Sequence, residues 1–244
     1  MKSKPLALVL IALAVVLAFA EVVVPSLAER TLAHRITEKT GSQDVNVQLS
    51  STPRFLLCLG QVDHVHAVAH QGRLGDVLVS ELALDGTDVR LDMGALMNGD
   101  DLQAKSAGEL KLTGVVTEEN LKEFLTRKAE KLENTEIMMD PGGITVTANV
   151  KIFGRMADAR MTGTVVDDNG QLMYHMTSLE ITNAPFGKAN IGNFFGDIPL
   201  VKRGKMPLGL RVTDVTMQSH KCVITATYDP EAAQHPDVLA PYYE

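Results

Sequence analysis

Ile144-Thr145-Val146-Thr147-Ala148-Asn149-Val150-Lys151-Ile152 is the stretch on which the fold turns. Apolar side chains fall at every second position and polar ones fill the gaps, the period of a strand with one buried face. Phe153-Gly154 ends the run. A second alternation follows, with Ala159, Met161, Gly163 and Val165 on one side and Asp158, Arg160, Thr162 and Thr164 on the other. In Asp168-Asn169-Gly170, the Asn-Gly pair supplies the two positive-φ residues of a tight hairpin turn. The chain then returns over residues 171–181. On this returning strand Met173, Leu179 and Ile181 point one way and Leu172, Tyr174 and Met176 the other, a pattern that implies cover on both faces. Strands of about nine to eleven residues exceed the usual five or six and imply an elongated, curved antiparallel sheet.

Two amphipathic helices flank this sheet in the sequence. Residues 26–40 follow Pro25 and stop at Gly41, with Ala28, Leu32 and Ile36 as the apolar stripe. Residues 117–132 begin at Thr117 as N-cap, with Glu118 and Glu119 at the positive end of the dipole and Leu121, Leu125, Ala129 and Leu132 facing inward. Further strands are expected at 45–49, 61–69, 77–84, 89–91, 104–116, 208–212 and 222–228. Asp85-Gly86-Thr87-Asp88 is read as a connection, and a bulge is expected near Asp214. The fold class is α+β, a curved antiparallel sheet wrapped around two main helices. With no Pro/Ser-rich linker in the middle, residues 25–229 form one domain and 230–244 a tail.

Of the 244 residues, 45% are hydrophobic but only 5% aromatic, with no Trp and eleven Met, so the apolar surface is aliphatic and adaptable. A net charge of −7 with no basic stripe argues against a nucleic-acid partner. Residues 1–24 read as a signal peptide or N-terminal membrane anchor. Lys2 and Lys4 precede an unbroken apolar run from Leu6 to Ala20, and Ala18-Phe19-Ala20 has the small-x-small form of a cleavage site. Either outcome exports the remainder, to the periplasm, the cell envelope or the exterior. Export permits a Cys58–Cys222 disulfide; two separate buried thiols are the alternative.

Three clusters carry candidate chemistry. His64, His66 and His70 share one face of a strand, a spacing that can hold zinc, but with no identified fourth ligand or base solvent-facing histidines are the plainer reading. Lys202, Arg203 and Lys205 stand among Leu200, Val201 and Met206 and could meet a lipid phosphate at a groove rim or membrane surface; a solvated loop is the plainer reading. Phe186, Phe194 and Phe195 could lid a groove or form a local core. There is no G-x-S-x-G, P-loop or dinucleotide fingerprint, and the residues imply neither a catalytic centre nor a cofactor.

Four segments taken together resemble the LmeA-like phospholipid-binding family. They are the helix ending at Thr40-Gly41, the run from Phe55-Leu56-Leu57-Cys58-Leu59-Gly60 into Gln61-Val62-Asp63-His64-Val65, Leu112-Thr113-Gly114-Val115-Val116-Thr117-Glu118-Glu119-Asn120-Leu121, and Met206-Pro207-Leu208-Gly209-Leu210-Arg211-Val212 with the final strand. The resemblance spans about residues 25–228. It implies an elongated fold similar to tubular lipid-binding domains, with a groove for phospholipid acyl chains in an envelope protein, and supplies no catalytic residues. Apolar faces that would wall such a groove carry Phe55, Leu57, Ile144, Val146, Val150, Ile152, Met161, Met173, Met176, Phe194 and Phe195. The face containing Ile144 is either groove wall or helix seat. A metal-dependent envelope enzyme using the histidine face, and a structural envelope protein whose groove is filled by its own side chains, are the rival readings. If the cationic cluster meets headgroups, changing Lys202, Arg203 and Lys205 together to Ser weakens binding to anionic vesicles in a flotation assay; unchanged flotation rejects that role.

Overall fold

The computed structural model describes residues 4–74, 77–98, 103–128, 132–152, 154–168, 171–184, 187–190, 198–201 and 207–230. In chain order these form α1 (Lys4–Thr40), β1 (Asp44–Ser50), a 3-10 helix (Arg54–Leu59), β2 (Gln61–Leu74), β3 (Val77–Leu91), α2 (Met93–Asn98), β4 (Ala104–Ser106), β5 (Glu109–Thr117) and α3 (Glu118–Lys128). There follow β6 (Leu132–Asp140), β7 (Gly143–Ile152), β8 (Arg155–Asp168), β9 (Gln171–Ala184), β10 (Gly187–Asn190), β11 (Ile198–Val201), a 3-10 turn (Pro207–Gly209), β12 (Leu210–Gln218) and β13 (Lys221–Tyr228).

The strands are antiparallel throughout, as the alternations require, but they make two sheets rather than one. Sheet A runs β1-β2-β3-β5-β13-β12 with β4 beside β3; sheet B runs β10-β9-β8-β7-β6 with β11 beside β9. The division falls at α3. The chain leaves sheet A at Thr117, builds sheet B as a meander, and returns through β12 and β13, so that β13 pairs with β5. Each sheet has one apolar face, and the two faces belong to one continuous core. It joins Val65, Val79, Leu112 and Ile224 of sheet A to Met139, Ile144, Val165, Leu172 and Tyr174 of sheet B. The expected single curved sheet is thus two sheets, and they share one core with the apolar stripe of the N-terminal helix.

α1 extends N-terminally well beyond the expected start and passes through Pro25. A proline there removes the N–H that would bond the carbonyl four residues back, that of Glu21. That carbonyl instead accepts from Arg54 Nη1 (3.4 Å), while the Glu21 carboxylate accepts from the Arg54 backbone N–H (3.0 Å). Val24, Ala28, Leu32 and Ile36, four residues apart, face the core. α3 is capped reciprocally. The Asn120 N–H donates to Thr117 Oγ1 (3.3 Å) and the Thr117 N–H to Asn120 Oδ1 (3.1 Å). The helix is described to Lys128; Ala129 lies outside the described residues, and Leu132, expected on the helix, instead opens β6 opposite Val150.

Two further departures have local causes. β3 runs unbroken through Asp85-Gly86, where the sequence suggests a turn. A Cβ on Gly86 would stand 2.5 Å from Leu110 Cδ1, so this glycine serves close packing rather than chain reversal. In β9 the register slips at Thr177, with Met176 opposite Gly163 but Ser178 opposite Thr162. One extra residue reverses the side-chain parity. Leu172, Tyr174 and Met176 before the bulge and Leu179 and Ile181 after it therefore share one face with Met161 and Val165. The apparent two-sided strand is one-sided; only Met173 lies opposite, beside Val166.

Sheet edges are closed by glutamates. Glu29 of α1 accepts from the N–H of Leu49 on edge strand β1 (3.0 Å), and Glu118 of α3 accepts from the N–H of Met139 on edge strand β6 (2.6 Å). The Met139 carbonyl accepts from the His220 N–H in the β12–β13 turn (3.0 Å), tying the two sheets together. Glu118→Ala leaves the buried Met139 amide without its acceptor. We expect a loss of about 1–3 kcal/mol, read as a lower urea midpoint; an unchanged midpoint would show that water takes the glutamate's place.

Candidate functional site

The inner face of sheet B brings together five of the eleven residues expected to line a groove: Ile144, Val146, Val150, Met161 and Met176. Ile144 and Val146 on β7 are buried, opposite Gly163 and Met161 on β8; Met161 and Met176 are half-buried and pack on the core. Beyond Met161 the same face continues through smaller side chains. Ala148 pairs with Ala159, Val150 with Ala157, and Ile181 flanks Ala159 from β9. Three alanines side by side on adjacent strands lower the floor of the sheet, while Val150 and Ile181 stand beside them. The backbone of Ile152 closes β7 opposite Arg155.

The Tyr174 hydroxyl lies over this face. Tyr174 is buried, and its hydroxyl has no hydrogen-bond partner among the described residues. Burial pushes its ionisation up to about 12. Gly163 makes the pose possible: a Cβ there would meet the Tyr174 Cζ and hydroxyl oxygen at 2.5 Å. The ring therefore lies across β8, with its hydroxyl above Gly163. An unsatisfied buried hydroxyl costs about 1–3 kcal/mol, so its retention is a feature to be explained. Sequence reasoning missed it, because Tyr174 reads as an ordinary strand residue. The available signal was Gly163 in mid-strand, which marks a close approach.

Other candidates are dispersed. Met173 lies on the opposite face of sheet B. Phe55 and Leu57 sit on the 3-10 helix of sheet A, Phe55 exposed and Leu57 buried. Phe186, Phe194, Phe195, Lys202, Arg203 and Lys205 lie outside the described residues. In chain order, the cationic cluster connects β11 of sheet B to β12 of sheet A.

The three histidines occupy the outer face of β2, alternating with buried Val65, Ala67 and Ala69. His64 and His66 border a surface cleft of about 560 Å³ together with Glu29, Gln48 and Asp85. His66 Nδ1 lies 2.6 Å from Asp85 Oδ1, and His70 Nδ1 lies 3.9 Å from Glu81 Oε2, each facing a carboxylate on β3. Among the described residues, no group of three His, Cys, Asp or Glu side chains is arranged to hold a metal ion. A second cleft of about 500 Å³ crosses sheet B. A chain of amides and a carboxylate borders it: Asn134 Nδ2 donates to Asn149 Oδ1 (2.9 Å), and Asn149 Nδ2 to Asp158 Oδ1 (2.7 Å).

Both cysteines are free thiols, Cys58 exposed on the 3-10 helix and Cys222 buried in β13. Burial, reinforced by the charge of Asp214, pushes the Cys222 thiol up to about 12.

An antiparallel two-sheet protein whose interior is aliphatic and Met-lined, with the Tyr174 hydroxyl of sheet B, like the Ser51 hydroxyl beyond β1, lacking a partner among the described residues, has the character of a binding module for an apolar molecule. The family model described as LmeA-like phospholipid-binding matches residues 19–227. The chain belongs to that family. No curated protein and no solved structure matches it.

A thiol-reactive chromophore such as DTNB should titrate one cysteine in the native protein and both in guanidinium, since only Cys58 is accessible and Cys222 holds its proton at neutral pH. Two native equivalents would contradict the burial of β13.

Proposed function

We propose that this chain is an exported phospholipid-binding protein of the cell envelope that carries or transfers lipid, taking acyl chains against the inner face of sheet B. Membership of a phospholipid-binding family supports the lipid class. The observation that carries the reading to a place is the inner face itself: the alanine floor of Ala148, Ala157 and Ala159, the flexible flanks Met161 and Met176, and the unpartnered Tyr174 hydroxyl. Each methylene withdrawn from water contributes about 0.8 kcal/mol, so a long aliphatic face binds chains with little need for polar contacts. Methionine side chains adjust to chains of different length and saturation. The Tyr174 hydroxyl would donate to an ester carbonyl or phosphate oxygen of the lipid, gaining the partner it lacks. Lys202, Arg203 and Lys205, on the connection between the two sheets, would meet the headgroup. The apolar N-terminal run would direct export and, uncleaved, would tether the protein to the membrane.

The test combines lipid content with one substitution. Native mass spectrometry of protein purified without detergent should show co-purifying phospholipid; bound zinc without lipid would overturn the reading in favour of a metal enzyme. Tyr174→Phe should act in opposite directions on the two states. Removing the orphan hydroxyl raises the stability of the lipid-free protein by up to about 1–3 kcal/mol, while affinity for phospholipid falls several-fold. Unchanged affinity with raised stability would remove Tyr174 from the site.

A further inference from the structure

We propose that the end of sheet A from which α1 emerges rests on a lipid bilayer, with the 3-10 helix Arg54–Leu59 as its contact. The inference takes two points from the proposed function: the protein works at a membrane, and its N-terminal run is uncleaved.

The direction of α1 is fixed by three ties. At its C-terminal end, Ser42 donates to the His70 carbonyl, and Thr40 Cβ stands 3.2 Å from where a Cβ on Gly72 would be, both near the end of β2. Midway, Glu29 reaches Leu49 near the end of β1. Further N-terminal, Glu21 holds Arg54 through two hydrogen bonds. Moving toward the helix N-terminus is therefore moving toward the end of sheet A where Arg54–Leu59 leads into β2. N-terminal to Glu21 the helix continues to Lys4, about 25 Å at 1.5 Å per residue. Every residue from Leu6 to Ala20 is apolar.

Where this helix leaves the domain, large apolar side chains face solvent. Val22 is 73%, Leu59 63% and Phe55 36% exposed. The 3-10 helix is held so that it cannot fold them inward. Leu57 is buried beneath it, Gly60 closes it at φ +75°, and the Gly60 carbonyl accepts from the Leu91 N–H at the end of β3 (2.8 Å). Single exposed apolar residues need no explanation. Three around the point where α1 runs into its charge-free stretch, residues 5–20, do, and that stretch names the occupant. A segment of this kind partitions into lipid, which brings its exit end to the interface. Arg54 beside Phe55 and Leu59 supplies a cation at headgroup level with apolar side chains below it, the usual arrangement of an interfacial anchor.

Cys58, in the same helix, is an exposed thiol, so the contact can be read directly. The full chain is reconstituted in phosphatidylcholine/phosphatidylglycerol vesicles with an environment-sensitive fluorophore on Cys58. A control carries the label on Ser219→Cys in a Cys58→Ser background. Ser219 lies in the β12–β13 turn at the other end of sheet A. The register from Arg90 back to Val79 puts about 35 Å between them at ~3.3 Å per residue. Nitroxide-bearing lipids should quench the Cys58 label several-fold more than the Ser219 label. Phe55→Asp with Leu59→Asp should abolish that difference while leaving the melting curve unchanged. The proposal is overturned if the two labels are quenched equally, or if Cys58 shifts to the blue without lipid quenching, which would mean that a second copy covers the patch. Lipid cargo is measured on the same samples by mass spectrometry. Quenching without cargo removes the carrier reading and leaves the docking in place; cargo without quenching does the reverse.

Discussion

Two antiparallel sheets that end in open edges would present rows of unpaired amides, which template pairing with other chains. In this protein two helices each send one glutamate to an edge strand: Glu29 of α1 to Leu49 on β1, and Glu118 of α3 to Met139 on β6. A carboxylate accepting from a backbone N–H is a charge-assisted bond, stronger than the neutral bonds of a ladder. The arrangement explains why helices are needed in a molecule otherwise built of strands. α1 and α3 contribute apolar stripes to the core, and they also cover amides that neither sheet pairs. At β6 the device does more. Met139 is nearly inaccessible, its N–H goes to Glu118, its carbonyl accepts from His220, and Glu118 Oε2 lies 3.2 Å from the His220 ring. One residue thus joins a helix, a sheet edge and the turn of the other sheet.

Much of this was legible in the chain. The alternation over 144–152 and 159–165, with Asn169-Gly170 beyond, gave three long strands whose ends lie close to the observed ones. Period two survives in sequence wherever one face is buried, which holds for nearly every strand here. Features that break a local rule for a distant reason were hidden. Asp85-Gly86 looks like a turn because Asp-Gly usually is one; only Leu110, on another strand, requires the glycine. Pro25 looks like a helix start; only Arg54, from a separate segment, takes the carbonyl it frees. Leu132 keeps helical spacing with Leu125 and Ala129, yet pairing with Val150 draws it into β6. Thr177 carries no mark of a bulge, and without it the apolar residues of β9 divide between two faces. The site follows the same logic. Ile144, Val146, Met161 and Met176 could be placed on one face from periodicity, whereas the orphan status of the Tyr174 hydroxyl depends on which strands surround it.

The pairing of Gly163 with Tyr174 shows how a sheet can hold a polar atom in an apolar interior without giving it a partner. A side chain larger than hydrogen at 163 would displace the ring; a ring without its hydroxyl would pack as well. The geometry is set by the glycine and the chemistry by the oxygen, so the two can vary separately.

The order of strands in sheet A also has a temporal side. The position between β5 and the edge strand β12 is filled by β13, the last strand described, which pairs Lys221–Thr227 with Lys111–Thr117 across about a hundred intervening residues. Until those residues have been made, β5 holds Leu110, Leu112 and Val116 on a strand with one side unpaired. Contacts this distant in sequence close slowly, because loop entropy must be overcome before they form. A chain truncated before Lys221 would therefore leave β5 as a sticky edge, visible to proteases and chaperones, and completion of synthesis becomes the condition for concealing it.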